Sequence, residues 1–202
     1  EVDGFPFDTG PSWYMMPETF DRFFGHFGRS AADYYEIERL DPQYRVFFKD
    51  GDRADVTPDL DRTRRLFESY EEGAGNALDE YLETARRTYE IGMERFVYTD
   101  RSRFRDLLDP SIVRAAPALK HLRPMQQYVE GYFDEPKLQQ LLQYTLVFLG
   151  SSPHETPSLY NLMAHVDFER GVYYPEGGMY SLVEALVDLG RDLGVTYRTG
   201  QE

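Results

Sequence analysis

The stretch GVYYPEGGMYSLVEALVDLGRDLGVTYRT, residues Gly171 to Thr199, reads as a strand, a Pro/Gly loop, an amphipathic helix and a second strand. It decides the fold because the other end of the chain reads the same way. Val2 to Asp8 holds Phe5 and Phe7 on one face behind an Asp3-Gly4 turn, as a short strand does. Strands at both ends with helices between them predict an α+β protein, in which an antiparallel or mixed sheet is closed by the two ends and the helical block is inserted between them.

Working inward, Pro17 suits a first helical turn, and Phe20, Phe23, Phe24 and Phe27 recur at helical spacing before Gly28. Two strands follow, YYEIERLD and YRVFFKD, the second turning at Asp50-Gly51, a strong hairpin signal because its turn positions favour positive φ. A helix capped by Asp59 or Asp61 is predicted to stop at Gly73. A longer one runs from Asn76 to Tyr98 with Leu78, Tyr81, Leu82, Ala85, Tyr89, Met93 and Phe96 on one face. Further helices are predicted over Ala118–Tyr132, Pro136–Leu149 and within PSLYNLMAHVDF. Strands and one helix therefore occupy 1–57, helices 58–170, and a strand-loop-helix-strand unit 171–202. Opening and closing almost directly in strands, the chain is expected to be a piece of a longer polypeptide.

Composition removes several function classes. The 202 residues carry a net charge of −14, with 36 acidic side chains spread along the chain, which repels phosphate backbones and argues against nucleic-acid binding. With only Lys49, Lys120 and Lys137 as lysines, the same pattern suits a protein kept soluble at high salt, so a halophilic source is expected. There is no cysteine, hence no disulfide and no thiolate zinc site, and the four histidines never fall at ligand spacing, so no metal is expected. No apolar run reaches the roughly 18 to 20 residues that span a bilayer. The expected location is cytoplasmic, with peripheral contact to a membrane allowed. The apolar burst YTLVFLG at the end of the Pro136–Leu149 helix either packs internally, the default, or dips into a bilayer.

No nucleophile elbow, P-loop or zinc-protease motif is present. GAGNAL at Gly73–Leu78 starts like a dinucleotide fingerprint, but it ends in Leu78 and follows a helix, so it reads as a helix-helix connection. Two corners resist a purely structural reading. Gly10-Pro11 ends the first strand and leaves backbone open to a planar ligand. Gly177-Gly178 precedes a helix, where free N–H groups and missing Cβ atoms suit a cofactor ring or an anion. Asp106 in FRDLL reads as a plain first-turn helical acid; as a reactive carboxylate with Arg114 as partner it rests on the resemblance that follows. Trp13, Tyr14, Met15 and Met16 are either core or substrate lining.

Taken in order, these stretches resemble a known family. Phe7-Asp8-Thr9-Gly10-Pro11, then Met16-Pro17 and an aromatic helix, is similar to the segment that follows the N-terminal FAD-binding unit of bacterial and archaeal phytoene desaturases. FRDLL at Phe104–Leu108, RAAPAL at Arg114–Leu119, the run from Tyr132 through YYPEGGM and LVEALVDLGRDLGV fit the same family in the same order. The resemblance covers essentially the whole chain. It implies the substrate-side portion of a two-domain, amine-oxidase-like fold and an FAD-dependent carotenoid desaturase, or a flavin-dependent isomerase or saturase on the same fold. A non-catalytic carotenoid or lipid carrier is the reading from outside enzymology.

On that resemblance Thr9, Gly10, Pro11 and Ser12 lie beside the flavin on one side and Gly177, Gly178 and Met179 on the other. The two corners are expected to face each other at one sheet edge. Trp13 to Met16 would line an apolar tunnel for a lipophilic carotenoid, to which 15% aromatic content and flexible methionines contribute. The family's N-terminal glycine-rich fingerprint and C-terminal flavin-contacting segment are not in this stretch, which alone is not expected to hold FAD tightly.

Overall fold

A computed structural model describes residue 4, residues 7–8, residues 10–98 and residues 123–200. The chain divides into two compact units, Glu1–Gln43 with Arg170–Glu202, and Tyr44–Glu169.

In the first unit, helix α1 (Pro17–Gly25) buries Phe24 and has Pro17 in its first turn, where a missing N–H costs nothing. A 3₁₀ turn (Ala31–Asp33) is closed by a capping box from Ser30 and Asp33. Strand β1 (Ile37–Arg39) then pairs antiparallel with β4 (Tyr173–Pro175), Ile37 opposite Pro175 and Arg39 opposite Tyr173. Tyr14 adds a bridge to Tyr173, with N···O distances of 3.0 and 2.8 Å in the two directions. Helix α7 (Tyr180–Asp192) covers this core with Ala185 and Leu189, which meet Tyr14, Phe24, Ala31 and Tyr35.

The second unit opens with the hairpin of β2 (Tyr44–Phe47) and β3 (Arg53–Val56), Tyr44 opposite Val56 and Phe47 opposite Arg53. Only Gly51 of the Asp50-Gly51 turn has positive φ, 89°, because the loop closes from Phe48 to Asp52 and needs one left-handed residue rather than two. Helix α2 (Leu60–Tyr70) is capped by Asp59, whose carboxylate accepts the N–H groups of Asp61 and Arg62. Helix α3 (Ala74–Gly92) buries Leu78, Tyr81, Leu82, Ala85 and Tyr89, the stripe that its periodicity predicts. It then widens into a π-helical turn over Met93–Val97.

Helix α4 (Met125–Val129) and α5 (Pro136–Gln143) follow, then a 3₁₀ segment (Tyr144–Leu149), a 3₁₀ turn (Ser158–Asn161), the short α6 (Leu162–Ala164) and a π-helical segment (His165–Arg170). The core gathers Phe67, Leu78, Tyr81, Tyr128, Phe133, Leu138, Leu141 and Phe168. The YTLVFLG burst divides: Leu146 is buried, while Val147, Phe148 and Leu149 are exposed.

Helices and small antiparallel sheets make the chain α+β, with corrections to the sheet. The described strands form two separate two-stranded sheets instead of one. Phe7 and Asp8 are not in a strand, and among the described residues pairing begins at Tyr14. The last expected strand is irregular chain: Val195 N returns to the Gly190 carbonyl at 2.8 Å, and Tyr197 packs on the bare Cα of Gly190, where any Cβ would collide with its hydroxyl. The segment is used to close the end of α7. The helix over Pro136–Leu149 tightens to 3₁₀ at Tyr144.

Candidate functional site

The first unit brings the start of α7 and the residues before Gly10 together. After β4 the chain turns through Gly177 and Gly178 at φ 82° and 93°, a region that costs an L-residue with a Cβ about 1–2 kcal/mol. Gly178 N donates to the Pro175 carbonyl at 3.1 Å, and the Ser181 hydroxyl donates back to the Gly178 carbonyl at 2.7 Å. Helix α7 has Met179 as its N-cap, which offers no capping side chain. Its leading N–H therefore takes a distant partner: Met179 N donates to Asp8 Oδ2 at 2.9 Å. The Tyr174 hydroxyl donates to the same oxygen at 3.1 Å, and that bond pushes the tyrosine's pKa up.

Asp8 thus ties the FDTGP segment to the Gly-Gly corner. A Cβ on Gly178 would stand 3.1 Å from Asp8 Oδ2, while one on Gly177 or Gly10 would meet nothing within 4 Å. The backbone at Gly177 and at Gly10 is open to space, and Pro11 and Ser12 are exposed. The helix start differs from the sequence expectation, because Met179 N–H is committed to Asp8. The donor set fits a neutral ring better than an anion.

Behind the corner, Tyr14 is 2% exposed, its ring stacks on Phe20 at 4.6 Å, and its hydroxyl bonds that of Tyr35 at 2.7 Å. Burial, then that bond, pushes its pKa well up. Trp13, Met15 and Met16 are half-buried. The cleft of about 360 Å³ that Tyr14 lines is bounded by Pro17, Tyr35 and Ile37, with Asp21 and Glu36 also on its wall. Met16 is left-handed (φ 56°, ψ 55°), the one non-glycine residue with positive φ among those described, and it stands directly before Pro17. Thr9, Asp106 and Arg114 lie outside the described residues.

The GAGNAL loop is occupied by the chain itself. Glu68 accepts the Gly73 and Gly75 N–H groups at 2.9 and 3.0 Å, which lowers its pKa and fills the donor set that a phosphate would need. Two buried titratable groups escaped sequence reading. Asp167 is fully buried, its pKa raised to about 7 by desolvation although the Tyr44 hydroxyl donates to it at 2.5 Å. His165 pairs with Glu169 at 2.5 Å and lies against the Tyr89 ring, 4.8 Å between centroids. Among the described residues no acidic and histidine side chains cluster as a metal site, and no helix is long and apolar enough to cross a membrane. Sequence reading missed Asp8: GGMYS offers α7 no capping side chain, but nothing near it in the chain says which distant carboxylate supplies one.

The whole chain, residues 1–202, matches the family described as flavin containing amine oxidoreductase. It is 59% identical over 203 aligned residues to a carotenoid 3,4-desaturase of Haloarcula japonica, covering 100% of this chain and 41% of that protein. It is 32% identical over 200 residues to a 4,4'-diapophytoene desaturase (4,4'-diaponeurosporene-forming) of Staphylococcus aureus strain Newman, covering 99% and 40% respectively. The chain therefore spans about 40% of the length of these curated relatives.

Proposed function

Because the chain belongs to the flavin containing amine oxidoreductase family, we propose that it is the substrate-side portion of an FAD-dependent carotenoid desaturase from a salt-loving organism. The observation that carries the reading is end-to-end likeness, at 59% identity, to a haloarchaeal protein named for carotenoid 3,4-desaturation. The name of that relative favours introduction of a double bond at the 3,4 position of a carotenoid. Isomerase, saturase and carrier readings share the fold but find no support in the names of these relatives.

When bound, FAD supplies the acceptor for the hydride equivalent that leaves the polyene. This chain contributes position. Gly10, Pro11 and Ser12 on one side, and Gly177, Gly178 and Met179 on the other, border the flavin ring, with Asp8 holding the second group in place. Half-buried Trp13, Met15 and Met16 offer apolar surface for a hydrocarbon without charge to grip. On the family resemblance, Asp106 with Arg114 as its partner is the candidate to accept the proton lost from the adjacent carbon.

The test is anaerobic addition of a carotenoid in micelles to the full-length, FAD-loaded protein. Bleaching of the oxidised flavin with a product two hydrogens lighter is the expected result. A product of unchanged mass points to an isomerase, and a bound polyene with flavin unchanged points to a carrier. Asp106→Asn is expected to lower kcat at least about tenfold with KM unchanged.

A further inference from the structure

Helix α7 is apolar on two sides. Leu182, Ala185 and Leu189 face the core of the first unit. A second stripe, at three-residue spacing, runs through Tyr180, Val183 and Leu186, all exposed, Tyr180 by 63%. Exposed Glu184, Asp188 and Arg191 hold the polar side of the helix. A surface helix needs one apolar stripe to attach it to its core, so the second is apolar area open to another partner.

The chain that follows the helix extends this surface. Leu193, Val195 and Tyr197 are exposed as well, and VTYRT at Val195–Thr199 is rich in the β-branched and aromatic residues that strands favour. After Val195 N has returned to the Gly190 carbonyl, the main chain of residues 196–199 makes no hydrogen bond among the described residues. Backbone of strand composition with open N–H and C=O groups is a template for pairing with another strand. Gly190 supports the same reading. Glycine inside a helix costs about 1 kcal/mol relative to alanine, and here it lets the returning chain pass close to the helix, since a Cβ would stand 2.1 Å from the Tyr197 hydroxyl oxygen.

We propose that α7 and Val195–Thr199 are a docking surface for a β-sheet in the rest of the same polypeptide: Val195–Thr199 pairs with the edge strand of that sheet, and Tyr180, Val183 and Leu186 cover its apolar face. The chain spans about 40% of the length of its curated relatives, which leaves more than enough polypeptide to supply such a sheet. A helix with one apolar side on its own core and another on a sheet is the middle of a layered arrangement. A second copy of the chain suits the surface less, because a two-fold contact through α7 brings two acidic flanks, Glu184 and Asp188, to one interface in a chain of net charge −14. The inference rests on the reading that this chain is one portion of a longer flavoenzyme.

The test is amide hydrogen exchange of the full-length, FAD-loaded protein. Alternate amides within residues 196–199 are expected to exchange at least about a hundredfold more slowly than in an unstructured chain. Val183→Ser with Leu186→Ser is expected to remove at least about tenfold of that protection. Val183→Ala with Leu186→Ala, a gentler pair that keeps helix propensity, is expected to remove less. Glu184→Ser with Asp188→Ser, on the polar side of the same helix, is expected to exchange as wild type. Free exchange of all four amides in wild type, or an equal loss in the polar-side control, overturns the proposal. Protection that fades on dilution, together with a shift from dimer to monomer in sedimentation, assigns the surface to a second copy and also overturns it. Carotenoid turnover on the same sample separates the two readings. A protein that desaturates while these amides exchange freely removes the docking surface alone; one with protected amides that leaves the carotenoid unchanged supports the docking surface and removes the desaturase reading.

Discussion

Asp8 Oδ2 accepts a hydrogen bond from the backbone N–H of Met179 at 2.9 Å, joining residues 171 positions apart in the chain. This bond supplies the cap that α7 lacks locally and fixes the Gly177-Gly178 corner against FDTGP. Asp8→Ala leaves the Met179 N–H and the Tyr174 hydroxyl without their acceptor and is expected to cost about 1 kcal/mol in urea unfolding. Asp8→Asn keeps an acceptor oxygen and is expected to recover most of it. Equal loss in both variants would mean that the charge matters rather than the cap.

The two glycines of the corner separate backbone strain from ring contact. Alanine at either position meets a positive φ and is expected to destabilise the protein without flavin by about 1–2 kcal/mol. Gly178→Ala also presses on Asp8, whereas Gly177→Ala enters open space. If the flavin lies over Gly177, that variant weakens FAD binding by more than its loss in unfolding free energy, as read by equilibrium dialysis. An FAD affinity unchanged in Gly177→Ala removes Gly177 from the cofactor site.

Met16 holds a left-handed backbone before a proline, a combination that costs on the order of 1 kcal/mol or more. Met16→Gly is expected to raise the unfolding free energy by about 1 kcal/mol. A simultaneous fall in carotenoid affinity would assign the side chain to the substrate; unchanged affinity would leave the strain as a feature of the turn into α1.

Asp167 predicts a pH dependence of stability. Its carboxyl titrates at about 7 in the fold because burial disfavours the charge, and near 4 in the unfolded chain. Between those values the native state holds a proton that the unfolded state has released. The contribution is therefore fully present below pH 4 and is lost as pH rises through 7, on the order of 3–4 kcal/mol. Asp167→Asn mimics the protonated form and is expected to flatten the difference in urea midpoint between pH 5 and pH 8. An equal slope in both proteins would place the titration elsewhere.

What could be read from sequence was local. The stripe from Leu78 to Tyr89 declared α3 because a buried helix face repeats every three or four residues, and Asp50-Gly51 declared the hairpin because one left-handed residue is needed there. Contacts between distant residues were hidden. Val195 to Thr199 has the composition of a strand, yet Tyr197 finds Gly190 first. Tyr14 sits beside Trp13, Met15 and Met16 in sequence, but the Tyr35 hydroxyl and the Phe20 ring make it core. The corner at Gly177-Gly178 was legible as a type of backbone; its carboxylate partner was not, because nothing near it in sequence announces Asp8.

Building the first unit from both flanks of the second sets the order of assembly. Bringing Ile37 opposite Pro175 closes a flexible loop and costs about 4–5 kcal/mol of chain entropy before β1 and β4 can pair. The middle unit closes mostly through nearer partners, such as α2 with α3, and once folded it replaces that long flexible loop with a short gap. The chain leaves and re-enters the outer unit at neighbouring points, where Val172 N donates to the Gln43 side chain at 2.9 Å. Pulsed hydrogen exchange is therefore expected to protect amides of α3 before those of Tyr14 and Tyr173. The Gly177-Gly178 corner, proposed to border the flavin, would be the last part of this chain to form, so a ribosome must pass residue 179 before that corner exists.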